Sequence, residues 1–443
     1  MGDMVYCGRM TRLLATSLVA LLLTACGDDS AGPPSETPPE APAENDPAFA
    51  VDRIKAWYLI GNEATPGFGD LEIEVTAPAG TEVVDIWVAG GPGMRLTKIG
   101  DNSFGRVIDI SELAAGEYEV LLAADGSTTA FASYTIKRSA PLYVLLTTDW
   151  DFSEVPDLTL EYMDMLYEAH PNMKTTHFFG PYTFTDPAVT VDRVTALTDW
   201  LKNRRDTAGD EIGVHIHPWC HFVEYAGVTC RDAPSVTQTV DASGYSVMGV
   251  AYSEAEYTTL LETATDLFVA NDLGTPTSYR AGAFVADLST LRALATAGYA
   301  VDSSATNWTR LVEEWEDFVL YEWNMANWSS IGDTSQPYYP SESDILVSGT
   351  PALPILEVPF NVTMAGYLED EEFVEIFDLN WSGDVLTEPI QVNLGYHPAT
   401  QMAPKIAKIT GALNYYEQFL ASRGAGPVVY ATVSELTKVW KPN

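Results

Sequence analysis

Basic residues are scarce in this chain. Lysine and arginine number 23 against 62 aspartates and glutamates, a formal charge of −39 over 443 residues. That balance excludes nucleic acid as a partner, because phosphate is repelled. The acidic surface favours solubility and suits a salty habitat or a cationic, aminated ligand. Long apolar runs are missing beyond Leu23, so no membrane-spanning helix is expected. Histidine and cysteine are rare, at six and four residues. What is present is ample core material. The chain is 46% hydrophobic and 11% aromatic, which excludes global disorder, and its length fits two folded units.

Residues 1–26 read as a targeting segment. Arg9 and Arg12 precede a short apolar run, Leu13 to Leu23, which ends in Thr24-Ala25-Cys26-Gly27. Residues 27–50 are rich in Pro, Glu and Ser and read as an extended linker. Residues 51–140 alternate apolar and polar side chains over short stretches, such as Leu71 to Thr76 and Val83 to Val88. Turn residues lie between them, which predicts a small sandwich of immunoglobulin type. No catalytic constellation lies in it, and a spacer role is preferred over a glycan-binding one.

From residue 141 the pattern changes to apolar strands alternating with amphipathic helices. Strands are predicted at 142–148, 174–179, 211–217, 277–281, 299–303, 355–360, 391–396 and 428–432. Helices are predicted near 157–169, 187–205, 253–271, 287–297 and 401–422. This is an α/β pattern, and over about 300 residues it fits a closed or nearly closed parallel barrel. Active sites in such barrels lie at the C-terminal strand ends.

Three of the six histidines fall between residues 215 and 221. On a strand, His215 and His217 share a face. Pro218 holds His217 extended and can begin a helical turn, which brings His221 round toward them. Converging imidazoles suit Zn, Ni, Co or Fe better than Mg or Ca. The other strand ends are also loaded: Asp149-Trp150-Asp151, Tyr279-Arg280-Ala281-Gly282, Asp302-Ser303-Ser304 and Tyr396-His397-Pro398. His170, at a helix end, and His177, inside a strand, read as structural. Cys220 and Cys230 flank the loop after the histidines and are expected to form a disulfide outside the cytoplasm. Trp308, Trp315, Trp323, Trp328, Tyr338 and Tyr339 crowd an insertion that reads equally as a sugar-stacking wall or as a small core of its own.

In their order and spacing these motifs make residues 141–443 resemble the polysaccharide deacetylase family of chitin, peptidoglycan and xylan deacetylases. The resemblance implies a distorted (β/α) barrel and metal-dependent removal of N- or O-acetyl groups from a glycan. It implies Asp149 as general base, Asp151 as metal ligand, Arg280 as the residue that orients Asp149, and His397 as general acid. The position four residues after His215, usually the second histidine ligand, holds Trp219. The second ligand is therefore His217, with His221 third, or else His217 and His221 form the four-apart pair. The implied metal is zinc, with cobalt or nickel as alternatives. Trp150, Trp219, Asp302, Trp308 and Tyr396 are the expected substrate contacts. Residues 13–27 resemble a bacterial lipoprotein signal, which implies lipidation of Cys26, loss of Cys7 with the leader, and a membrane-tethered protein of the cell envelope. The competing readings are a related amide hydrolase acting on a non-glycan substrate and an inactive glycan-binding lipoprotein.

Overall fold

The computed structural model describes residues 33–231, 243–311, 319–399 and 401–442. The leader, Cys26 and Trp315 lie outside them. No helix among the described residues is long and apolar enough to cross a membrane.

Two sheets form the first unit. One contains Ala50–Asp52, Asp70–Thr76, Ser103–Asp109 and Thr97–Lys98. The other contains Trp57–Leu59, Ala132–Ser139, Gly116–Ala124, Val84–Val88 and Met94–Arg95. Alternation puts Leu71, Ile73 and Val75 on the buried face, where they meet Ile86, Val120, Leu122 and Ile136 from the opposite sheet. The expected free linker is shorter than 27–50. Residues from Ser35 onward already run along this sandwich: Trp87 Nε1 donates to Ser35 O, and Ala130 N donates to Glu40 O.

Two residues after the sandwich, the chain enters a nine-stranded sheet. Its order is Leu356–Glu357, Val301–Asp302, Ser278–Ala281, Glu211–Ile216, Thr175–Phe179, Leu142–Asp149, Ile390–Tyr396, Thr363–Met364, with Val428–Tyr430 beside the start of Leu142–Asp149. All its pairings are parallel. The chain itself joins the two edges. Val358 N and Phe360 N bond to Asp302 O and Ala305 O on one side, and Val362 N and Ala365 N bond to Asn393 O and Gly395 O on the other. The result is a distorted, nearly closed barrel.

Strand parity decides what each residue faces. Tyr143, Leu145, Phe178, Val301, Leu356 and Val358 fill the barrel interior. Leu142, Val144, Leu146, Val214, Ile216, Val392 and Leu394 point outward and pack under the surrounding helices. Buried on both faces, such strands read as continuous apolar runs. The helices Asp157–Ala169, Val191–Ala208, Glu254–Ala270, Leu288–Ala297 and Met402–Tyr416 lie where alternation places them. Ser253 opens one with a capping box, and Gly209 and Gly298 close two in the left-handed conformation. The Asp370–Asn380 and Val319–Asn327 helices and the Thr363–Met364 strand were not expected.

Candidate metal-binding active site

A cavity of about 300 Å³ opens at the C-terminal strand ends. Asp149, Asp151, His215, His217 and His397 line it together with Phe152, Tyr245, Met248, Phe284, Leu320, Tyr367 and Lys405. The acids and imidazoles all continue the inward-facing register of their strands. Asp149 and Asp151 are two apart, as are His215 and His217, so each pair points the same way.

Asp151, His215 and His217 bring one ligand atom each to within 4.8 Å of one another. Asp151 Oδ1 lies 3.2 Å from His215 Nε2 and 3.6 Å from His217 Nε2. Donors about 2.0–2.2 Å from a tetrahedral zinc stand roughly 3.4 Å apart, so this spacing fits one ion. The hydrogen bonds behind the rings fit as well. His215 Nδ1 is 2.9 Å from Arg280 O, and His217 Nδ1 is 3.1 Å from Tyr245 O. A carbonyl only accepts, so both rings carry hydrogen on Nδ1 and turn Nε2 toward Asp151. Deprotonated at Nε2, the two rings and the carboxylate offer three donors to one cation. Burial raises the Asp151 carboxyl, but the charge on His397 and hydrogen bonds from His215 and His217 outweigh it and hold Asp151 well below the ordinary range.

Arg280 lies inside the barrel, sandwiched between the rings of Phe178 and Phe360, 4.5 and 3.9 Å from their centroids. Its Nη1 donates to Asp149 Oδ1 at 2.9 Å and to Thr147 Oγ1 at 2.8 Å. Nε and Nη2 are taken up by Ser303 O and Oγ. The planar fork thus fixes Asp149 in one orientation. His397 lines the same cavity, its Nε2 3.8 Å from Asp151 Oδ2. Burial lowers its pKa, and the nearby carboxylates only partly offset that.

Several expected site residues are elsewhere. His221 does not join the ligands. It sits in the Cys220–Tyr225 helix, stacked on Trp219, with Nδ1 3.0 Å from Thr185 Oγ1 and Nε2 3.7 Å from Asp186. The turn at Pro218 carries it away. Trp150 and Tyr396 have the outward parity of their strands. Trp150 is buried against Phe179 and Trp200, and Tyr396 against Tyr167. Trp219 lies beside the cavity rather than on its wall, and its Nε1 donates to Asp151 O at 3.1 Å, holding the ligand's backbone. Trp308 packs edge-on against Tyr321 and does not reach the cavity. Trp323, Trp328 and Tyr338 pack into the main core around the sheet rather than into a core of the insertion's own. His177 is structural, bridging Thr148 and Asp210, and His170 bonds Glu417. Cys220 and Cys230 form the expected disulfide.

Asp302 also faces outward, beneath the insertion, where it pairs in register with Glu357. Both are fully buried. Ser304 Oγ donates to Asp302 Oδ1 and Ala305 N to Glu357 Oε1, while Asp302 Oδ2 and Glu357 Oε2 receive nothing from other residues. The two carboxyls therefore share a proton. Burial raises Asp302 to about 6 and raises Glu357 well above its ordinary value. A raised carboxyl stabilises the fold below its unfolded pKa of about 3.9, and that contribution is lost as pH rises through the folded value. Asp302→Asn keeps a donor without a titrating proton. It is expected to match the native chain's thermal midpoint near pH 4 and to exceed its stability near pH 8 by on the order of 1–3 kcal/mol. Equal midpoints at both pH values would contradict the shared proton.

Sequence reasoning missed Tyr245, Met248, Tyr367 and Lys405, which reach the cavity from loops and a helix. No periodicity marks such residues.

No family model matches the chain, and no curated protein matches it. Among solved structures, a Mycobacterium smegmatis protein named as a candidate polysaccharide deacetylase aligns at 15% identity, covering 67% of this chain and 89% of that one, with a TM-score of 0.40. A family 4 carbohydrate esterase from Streptomyces lividans, solved with acetate, aligns at 11% identity over 68% and 98%, with a TM-score of 0.34. The carbohydrate esterase domain of a xylanase from a Trinervitermes trinervoides hindgut metagenome aligns at 11% identity over 68% and 93%, also at 0.34. At these values the likeness carries no argument about chemistry, which rests on the side chains above.

Proposed function

We propose that this chain is a metal-dependent hydrolase that removes acetyl groups from a polysaccharide, and that it belongs with the polysaccharide deacetylases. One observation carries the reading. A carboxylate fixed by a buried arginine, Asp149, lines the same small cavity as a three-donor cluster suited to a divalent ion.

Asp151, His215 and His217 would hold the metal, with zinc favoured by the two imidazoles. When bound, it would act as a Lewis acid and lower the pKa of coordinated water from about 15.7 toward roughly 7. Asp149 is oriented by Arg280 to take a proton from the attacking water. His397, on the other side, is placed to give one to the departing amine or alkoxide. Each such transfer is worth roughly 10²–10⁴-fold. Phe284, Val285 and Leu320 offer an apolar wall to an acetyl methyl.

We place the protein in the bacterial cell envelope, tethered through a lipid on Cys26, on the strength of the leader sequence. Its substrate is then an envelope or extracellular glycan. The test is acetate release by the full chain, with zinc, from acetylated chitooligosaccharides, xylan and peptidoglycan. Release from one of the three identifies the glycan class. Release from none, with tight glycan binding retained, would replace the enzyme with a binding protein.

A further inference from the structure

The two oxygens of Asp151 face different partners. Oδ1 points to the histidine Nε2 atoms. Oδ2 accepts the Tyr245 hydroxyl at 3.3 Å and lies 3.8 Å from His397 Nε2. The Tyr245 ring lies flat on His217, with centroids 4.4 Å apart and planes 17° apart, and Phe152 also stacks on it at 5.5 Å and 12°. The Tyr245 carbonyl also accepts from His217 Nδ1. One loop residue therefore touches two of the three donors, through its hydroxyl, its ring and its backbone.

The loop that carries Tyr245 is fixed close to the ligands. Cys220 N donates to Ser243 O at 2.6 Å. Gly244 has φ +84, and a Cβ there would collide with Pro218 O and Cys220 N. Only glycine lets this turn sit against the chain that follows His217. Cys220 is itself locked to Cys230.

We infer that Tyr245 is a positioning residue: its hydroxyl occupies Asp151 Oδ2 and so makes Asp151 a one-oxygen ligand. This rests on the reading of Asp151, His215 and His217 as a metal site. A carboxylate can bind a cation through one oxygen or two. A hydrogen bond to the second oxygen withdraws it and leaves coordination positions open, which a catalytic site needs.

The test uses the full chain, with Zn²⁺ and Co²⁺ as probes. Tyr245→Phe keeps the ring stack and the backbone carbonyl and loses only the hydroxyl. Zinc affinity, read by chelator competition, is expected to fall roughly 10–100-fold. The visible bands of the Co²⁺-loaded variant are expected to weaken as Asp151 adds its second oxygen, while the metal-free thermal midpoint stays unchanged. A merely structural tyrosine would lower that midpoint and leave the Co²⁺ spectrum alone. Native zinc affinity and an unaltered Co²⁺ spectrum in Tyr245→Phe, with binding lost in His217→Ala, would overturn this inference and leave the metal site standing. A native chain that binds no zinc would overturn both.

Discussion

Acetate release by Asp149→Asn is expected to fall by about 10²–10⁴-fold. The substitution keeps the size of the side chain and an oxygen for Arg280 Nη1, so the cavity keeps its shape. Asp149 is not one of the three converging donors, so zinc affinity should stay within a few-fold of native. The expected pattern is a loss in kcat with little change in KM, as when a group acting in the transition state is removed. Release rates and zinc binding measured on the same preparation separate this from a metal defect. Undiminished turnover in Asp149→Asn would remove Asp149 from the mechanism.

Arg280→Met should cost more stability than any other single change at the site. The guanidinium is fully buried and meets Thr147, Asp149 and Ser303 through Nε, Nη1 and Nη2. Removing it leaves Asp149 buried without its cation, a loss of about 3–5 kcal/mol for a broken buried pair. The aromatic rings on either side lose their cation contact as well. Activity should fall with it, because Asp149 loses the donor that orients it. Arg280→Lys tests the fork separately. One ammonium cannot meet both Asp149 and Ser303, so it should recover part of the stability and little of the rate. Denaturant unfolding with acetate assays reads both effects. An Arg280→Met chain as stable and active as native would contradict the pairing.

The barrel was legible because its strands are apolar on both faces and end in polar residues. Leu142 to Leu146 is such a run, and its position agrees with the structure. Parity, read with equal care, also sorts the site. Asp149, Asp151, His215 and His217 share the inward register, whereas Trp150 and Tyr396 stand one residue out of it. Those two were among the expected substrate contacts, yet a one-residue offset sends a strand side chain to the opposite face. Asp302 failed for the same reason. His221 depended on the path of the chain after Pro218, which spacing alone does not determine. Tyr245 and Lys405 could not be found from local pattern, since a loop and a helix distant in sequence deliver them.

The most direct test of the central claim is acetate release by metal-stripped protein titrated with zinc. The account predicts no release without metal, a rise in proportion to zinc up to one equivalent, and no rise in Asp151→Ala or His217→Ala. Release that ignores zinc, or that survives in both variants, would contradict it.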